Sequence, residues 1–209
     1  MTVKDISFAS IDENIRYDES LLECAENGMG GEVLRFWEAK NISIILGRAC
    51  KEELEIKKSE ARDDGIKIAK RMSGGGTVLQ GPGCLNYALV LSFENRPELK
   101  DIKKSYQIIL ERICAALNRI GIKAEFEPIS DMATGGRKFS GNAQWRQKRY
   151  MLHHGTILYN FPIEKIGRYL KMPPAEPPYR KGKSHSEFLC NAGAKAPEIK
   201  KAIERAWEK

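Results

Sequence analysis

Along residues 11–27, apolar side chains recur at Ile11, Ile15, Leu22 and Ala25, close to the spacing of one helical face. Gly28, Gly30 and Gly31 mark a stop, so the pattern predicts an amphipathic helix. Residues 33–37 and 42–46 are short apolar runs rich in β-branched and aromatic residues. They read as two strands separated by the polar Ala39-Lys40-Asn41 turn. Residues 50–64 form a charged stretch read as a surface helix ending at Gly65, and residues 66–70 a strand running into a glycine-rich segment. Strands are expected again at 77–80 and 85–93. The strongest helical stripe is Ile102, Tyr106, Ile109, Ile113, Ala116, Leu117 and Ile120, stopped by Gly121. A strand over 122–127, a hairpin over 138–160 turning at Gln147-Lys148-Arg149, and short helices at 162–171 and 197–207 complete the pattern. Residues 172–191, rich in proline, lysine and serine, are expected to be a long loop, ordered with a ligand or partner.

Composition narrows the class. At 209 residues, with 42% hydrophobic and 30% charged residues, the chain suits one globular domain. No apolar run approaches the roughly 18 residues that span a bilayer, and Met1-Thr2-Val3-Lys4-Asp5 has no apolar leader, so a cytoplasmic protein without a membrane segment is expected. Five widely spaced cysteines without a CxxC pair indicate neither a disulfide framework nor a zinc site. Thirty-five basic against 28 acidic residues leave +7, which favours an anionic partner. The aromatic content of 8% and the absence of an RNA-binding or zinc-finger pattern leave nucleic acid the weakest such partner.

The glycine segment Arg71-Met72-Ser73-Gly74-Gly75-Gly76-Thr77 lies between two predicted strands. It lacks both the GK[ST] ending of a phosphate loop and the GxGxxG of a dinucleotide site. Residues without Cβ let a ligand approach the main chain, whose N–H groups can meet phosphate oxygens, while Arg71 offers a fork and Ser73 and Thr77 hydroxyls. A glycine bulge at a sheet edge is the alternative. Downstream, Gly136-Arg137-Lys138-Phe139-Ser140-Gly141 places a lysine among glycines. Strict alternation puts Lys138, Ser140, Asn142 and Gln144 on one face and Phe139, Gly141, Ala143 and Trp145 on the other. A ligand face or a strand solvated on one side fits equally. His153 and His154 must point to opposite faces, which disfavours a shared metal and leaves one packed and one lining a pocket. Cys84 has no charged neighbour in sequence to activate it and is read as structural. The run 179–185 reads as a solvated basic loop.

Taken together, Arg71-x-Ser73-Gly74-Gly75-Gly76-Thr77-Val78, Gly83-x-Leu85-Asn86-Tyr87, Gly136-Arg137-Lys138-x-Ser140-Gly141-x-Ala143-Gln144 and His153-His154-Gly155-Thr156-Ile157-Leu158 resemble the lipoate-protein ligase family, in order and spacing. The resemblance implies a single catalytic domain over 1–209 of α+β class, with mixed and antiparallel sheets flanked by helices as in biotin and lipoate ligases. It implies that lipoate or octanoate is activated by MgATP to an acyl-adenylate, then transferred to a lysine of a lipoyl carrier protein or lipoyl domain. Lys138 would be catalytic, bridging acyl carbonyl and phosphate. Arg71, Ser73, Gly74, Gly75, Gly76, Thr77, Asn86, Ser140, Gly141, Ala143, His154, Gly155 and Thr156 would line the acyl-adenylate. Asp131 would stand near the nucleotide and its Mg2+.

Three departures accompany the resemblance. Lys70 replaces the first of two arginines, Gly47-Arg48-Ala49-Cys50-Lys51 replaces a Gly-Arg-x-Gln-Asn pattern, and the further C-terminal domain of longer ligases is not expected after Trp207. A separate accessory subunit, or a variant that works without one, is implied. The nearest rival is an ATP-independent octanoyl or lipoyl transferase working through a cysteine thioester. No cysteine lies in 128–132, just before Lys138, and Cys190 lies well beyond the His-Gly strand. A non-catalytic carrier-binding protein is the third reading.

Overall fold

The computed structural model describes residues 1–208. In chain order the strands are β1 (Thr2–Asp5), β2 (Val33–Glu38), β3 (Ser43–Leu46), β4 (Lys67–Lys70), β5 (Val78–Gln80), β6 (Cys84–Ser92), β7 (Glu125–Glu127), β8 (Asp131–Thr134), β9 (Arg137–Arg146) and β10 (Tyr150–Leu158). The helices are α1 (Ile11–Glu26), α2 (Glu52–Glu55), α3 (Lys58–Asp63), α4 (Ile102–Asn118), α5 (Glu164–Tyr169), α6 (His185–Phe188) and α7 (Ala196–Trp207). The expected α+β class holds. Seven strands form one sheet in the order β1-β2-β6-β10-β9-β8-β7, parallel only at β1-β2, and three form a second, β4-β3-β5, parallel at β3-β4.

The large sheet has two unlike faces. One carries Leu34, Phe36, Leu85, Leu89 and Met151 into a core closed by Ile109, Ile113 and Leu117 of α4 and Ile199 and Ile203 of α7. The opposite face packs on α1 through Leu22, Ala25, Val33, Ala88 and Val90. It also meets the small sheet, where Ile45 and Val78 join Trp37 and Ile15. The outer face of the small sheet, with Ile44, Leu46 and Leu79, is covered by α3, α5 and α6. Among the described residues no helix is long and apolar enough to cross a membrane.

α1 follows its predicted stripe, but the same face also buries Asn14 and Asp18. The fully buried Arg35 of β2 reaches them: its Nη1 lies 2.6 Å from Asp18 Oδ1, its Nη2 donates to Asn14 Oδ1 at 2.7 Å, and Trp37 Nε1 donates to Asp18 Oδ2 at 3.0 Å. Such a charge tolerates burial because its hydrogen-bonding atoms are answered.

Three expectations are corrected. The single helix over 50–64 is broken: Ile56 is extended, 1% exposed, and bridged to Leu170. Burying that side chain contributes about 1.5–3 kcal/mol, more than the roughly 0.5–1.5 kcal/mol of a helical hydrogen bond forgone. The strand over 122–127 shrinks to β7, and β1 and β8, left unassigned by the sequence pattern, are present. Residues 172–191 contain a 3-10 turn at Pro178–Arg180 and α6, and Phe188 and Leu189 join the core beside the small sheet.

Candidate active site

A cavity of about 520 Å3 opens between the two sheets. Its walls are the glycine segment, residues 128–131, the exposed stretches of β9 and β10, and residues 173–189. On β10 and its neighbours the antiparallel register fixes which side chains enter it. His154 stands opposite Ala143 and Ala88, and Thr156 opposite Gly141 and Asn86, so all of these share the cavity face. Their sequence neighbours Gln144, His153, Asn142 and Tyr87 turn to the α4 face by register, with Asn142 and Tyr87 still bordering the cavity.

Lys138 departs from the simple alternation, and this corrects its predicted face. One step on β8, from Met132 to Ala133, spans two on β9, from Ser140 to Lys138. Phe139 is the extra residue of this β-bulge and is fully buried in the α4 core. The bulge turns Lys138 to the cavity side, with Gly141 and Ala143 rather than with Asn142 and Gln144. A Cβ on Gly141 would lie 2.9 Å from Lys138 Nζ, so the ammonium occupies the space that glycine leaves. Its partner is Asp131, 5% exposed, whose Oδ1 is 2.8 Å from Nζ. The other carboxylate oxygen accepts from the Tyr179 hydroxyl at 2.8 Å, and burial beside this carboxylate pushes the Tyr179 phenol well up.

The glycine loop is shaped from behind. Arg71, expected to offer its fork to a ligand, donates from Nε to Ser73 Oγ at 3.0 Å and from Nη1 to the Ile45 carbonyl at 3.3 Å. Its Nη2 donates to the carbonyls of Gly74 and Gly76 at 2.7 and 2.9 Å. The Gly75 carbonyl accepts from Cys50 Sγ at 3.3 Å and approaches Gly47 so closely that a Cβ there would lie 2.0 Å away. In a trans peptide the following N–H points away from the carbonyl. The N–H groups of Gly75 and Gly76 are thus turned from Arg71 and Cys50, and both glycines line the cavity. The Thr77 N–H donates to Glu55 at 3.0 Å, while its buried hydroxyl has no protein partner.

Ser73 is 3% exposed and its hydroxyl lies 2.6 Å from His154 Nε2 as well as on Arg71. Burial, with the Arg71 charge nearby, pulls His154 down to about 3, so it is neutral at pH 7. His153 is the packed partner, as expected. The Ser140 hydroxyl accepts from Asn142 Nδ2 at 3.2 Å, and Gly155 makes room for Asn142, since a Cβ there would come within 1.8 Å of its Oδ1.

The pattern missed Tyr179, which it placed in a solvated loop, and Gln80. Gln80 lines the cavity 6% exposed with its Oε1 unpartnered. Alternation with Val78 on a three-residue strand was the only signal for it. None of the five cysteines lines this cavity. Cys84 and Cys114 are buried, and Cys190, though its N–H donates to the Lys138 carbonyl at 2.9 Å, turns its Sγ to the Arg137 carbonyl at 3.4 Å. Burial raises its thiol. Among the described residues no group of three or more His, Cys, Asp or Glu side chains is arranged to hold a metal.

The profile described as "Lipoyl protein ligase A/B catalytic domain" matches residues 10–205. The chain belongs to this family. Among its relatives is the probable lipoate-protein ligase A of Mycoplasma pneumoniae, 30% identical over 159 residues, covering 76% of this chain and 45% of the relative. Another is the octanoyltransferase LipM of Carboxydothermus hydrogenoformans, 31% identical over 198 residues, covering 87% and 72%. The chain thus spans less than half of the first relative's length. Among solved structures, a bi-partite lipoate protein ligase studied with its E2 lipoyl domain from Thermoplasma acidophilum aligns with a TM-score of 0.84 at 24% identity, covering 99% of this chain and 81% of that one. A lipoate-protein ligase A bound with ATP aligns at 0.84 and 23%, covering 99% and 83%. At these identities the likeness concerns the fold. The two-sheet arrangement is that of the lipoate-protein ligase structures.

Proposed function

We propose that this family member activates lipoate or octanoate with ATP and transfers the acyl group to a lysine of a lipoyl carrier. The observation that carries the reading is the bulge that turns the Lys138 ammonium into a cavity also lined by a glycine loop whose carbonyls are taken up from behind by Arg71 and Cys50. An ammonium on one wall and free backbone N–H groups on the other suit an acyl-phosphate anhydride, which carries anionic phosphate beside a carbonyl. In the first step the acyl carboxylate oxygen bonds to the α-phosphorus of ATP and pyrophosphate leaves. In the second, the carrier amine bonds to the acyl carbon and AMP leaves. Negative charge gathers on the phosphate and carbonyl oxygens in both, where Lys138 is placed to meet it. Neutral His154, fixed by Ser73, walls the acyl side without adding charge.

Asp131 is a single carboxylate, already engaged with Lys138 and Tyr179, so the protein alone offers no cage for a cation. That fits Mg2+ held chiefly by nucleotide phosphates and water with one carboxylate nearby. Bound so, the ion would offset phosphate charge. The solved neighbours with lipoic acid and with ATP support both ligands, and the neighbour with its E2 lipoyl domain supports the carrier.

The relationship to an octanoyltransferase supports the transferase as the second reading. The purified chain is incubated with lipoate or octanoate, MgATP and an unmodified lipoyl domain, and pyrophosphate and carrier mass are followed. ATP-dependent mass gain, lost in Lys138→Ala and kept in Cys190→Ala, is expected. Because the T. acidophilum ligase is bi-partite, the assay is repeated with a candidate accessory chain. No ATP-dependent gain in either arm refutes the ligase, and transfer from an octanoyl carrier without ATP, lost in Cys190→Ala, establishes the transferase.

A further inference from the structure

Asn142 is held at every polar atom. Its Nδ2 donates to the Ser130 carbonyl at 2.8 Å and to Ser140 Oγ at 3.2 Å, and its Oδ1 accepts from the Tyr87 hydroxyl at 2.5 Å. Its backbone N–H donates to the same Ser130 carbonyl at 3.0 Å. One carbonyl therefore takes two donors from one residue. That carbonyl and the N–H of Asp131 belong to a single planar peptide unit, so pinning it fixes the plane from which Asp131 departs. Asp131 in turn holds Lys138 Nζ at 2.8 Å. Behind Asn142, a Cβ on Gly155 would lie 1.8 Å from its Oδ1 and 2.9 Å from Tyr87 Cε1.

We infer that Asn142 is a positioning residue for the reaction. Through the Ser130 peptide it sets Asp131, and through Asp131 it keeps the Lys138 ammonium over Gly141, while Gly155 and Tyr87 keep Asn142 in place. Asn142 borders the cavity, but its carboxamide is spent on Ser130, Ser140 and Tyr87. Its carboxamide is not needed for the sheet, since β9 is already paired by its backbone to β8 on one side and β10 on the other. The inference rests on the catalytic reading of Lys138, but its central claim, that Asn142 holds that amine, is measurable without turnover.

The first measurement is competitive labelling of the Lys138 amine with acetic anhydride, read by peptide mass spectrometry in the full chain. Releasing the ammonium from Asp131 exposes it, so Asn142→Ala is expected to raise labelling severalfold over wild type. Gly155→Ala, which displaces the carboxamide without removing it, should act in the same direction. Because Asn142→Ala leaves the buried Tyr87 hydroxyl short of a partner, the double variant Tyr87→Phe/Asn142→Ala is measured beside it, with thermal melts as the folding control. Unchanged Lys138 labelling in a folded Asn142 variant overturns the inference.

The second measurement is kinetic. Misplacing a reacting group by a fraction of an ångström to an ångström lowers turnover by up to about 100-fold. Asn142→Ala should therefore lower kcat with little change in KM for ATP, and should cost nothing further in a Lys138→Ala background. Additive losses in the two variants would mean that Asn142 acts elsewhere. Full activity of Lys138→Ala would sink the functional reading, while the labelling would still decide whether Asn142 holds the amine.

Discussion

His153 should make this fold sensitive to acid well above the pH at which carboxylates titrate. Its ring is fully buried between β10 and α4, 5.6 Å from the Tyr106 ring and 6.0 Å from that of Tyr87. Nδ1 lies 3.2 Å from Gln144 Nε2, and Nε2 lies 3.3 Å from the Tyr87 hydroxyl. The Gln144 Oε1 is committed to Arg146 Nη1 at 2.9 Å, so its amide presents N–H to the histidine. The network assigns the tautomer: Nδ1 accepts from Gln144, Nε2–H donates to Tyr87, and Tyr87 donates to Asn142. A second ring proton would face the Gln144 amide donor. Burial, reinforced by His154, lowers the group from 6.5 to about 3.

The sign follows from proton counts. Between pH 6.5 and about 3 the unfolded chain binds a proton at this position that the folded chain refuses, so stability falls as pH falls through that window. At about 1.4 kcal/mol per pH unit, moving from pH 7.5 to pH 5 should remove about 2 kcal/mol from a total that is typically 5–15 kcal/mol. Asp18 works in the opposite direction. Burial raises it to about 6, so in the folded state it takes up a proton earlier than in the unfolded chain, and acidification between about 6 and 3.8 favours the fold. His154, likewise lowered to about 3, acts in the same direction as His153, so the raw pH profile mixes all three groups and the measurement is a difference. Urea unfolding of wild type and His153→Gln is followed by tryptophan fluorescence at pH 7.5 and pH 5. Wild type should lose about 2 kcal/mol more than the variant over this interval. Equal losses in the two proteins would refute the reasoning.

Two further outcomes follow from close packing. Gly47→Ala puts a methyl group 2.0 Å from the Gly75 carbonyl and 3.3 Å from Arg71 Nη2. Calorimetry should show a loss of about 1–3 kcal/mol and, on the proposed function, weaker ATP binding by titration, and unchanged values for both would mean the loop is not set by that contact. Arg35→Met strands the Asp18 carboxylate without its cation, and chemical denaturation should show a loss of about 3–5 kcal/mol, partly recovered by Asp18→Asn. A loss under 1 kcal/mol would show that the pair is solvated.

Much of the fold was legible because the helices and long strands carry clean periodicity. Residues 11–27 bury the face their pattern predicts, the 101–120 stripe is buried from Ile109 to Leu117 while Ile102 and Ile120 stay exposed, and the 138–160 hairpin follows its alternation except at the bulge before Ser140. What stayed hidden depends on tertiary partners. Ile56 breaks a charged helix because Leu170, more than a hundred residues away, gives it a place to be buried. Asp18 and Arg35 look like ordinary surface charges until β2 and α1 are packed together. The strands β1 and β8 are only four residues long and leave no period to read.

The site shows the same division more sharply. The motifs that suggested an anionic ligand converge on one cavity, with Ser73 and Gly74 outside its lining, yet three of the residues act on the protein's own atoms. Gly141 leaves space for Lys138, Gly155 leaves space for Asn142, and Arg71 binds the backs of the glycines whose N–H groups face the other way. Alternation assigned Lys138 to the face of Asn142 and Gln144, and one extra residue, Phe139, reversed it. Without that bulge Lys138 would point into the α4 core, where an unpaired charge is costly, and Phe139 would fill the cavity. The bulge thus resolves a conflict between core and site within a single strand. It also explains why Asn142 can brace from the buried face the loop whose Asp131 reaches Lys138 on the open one.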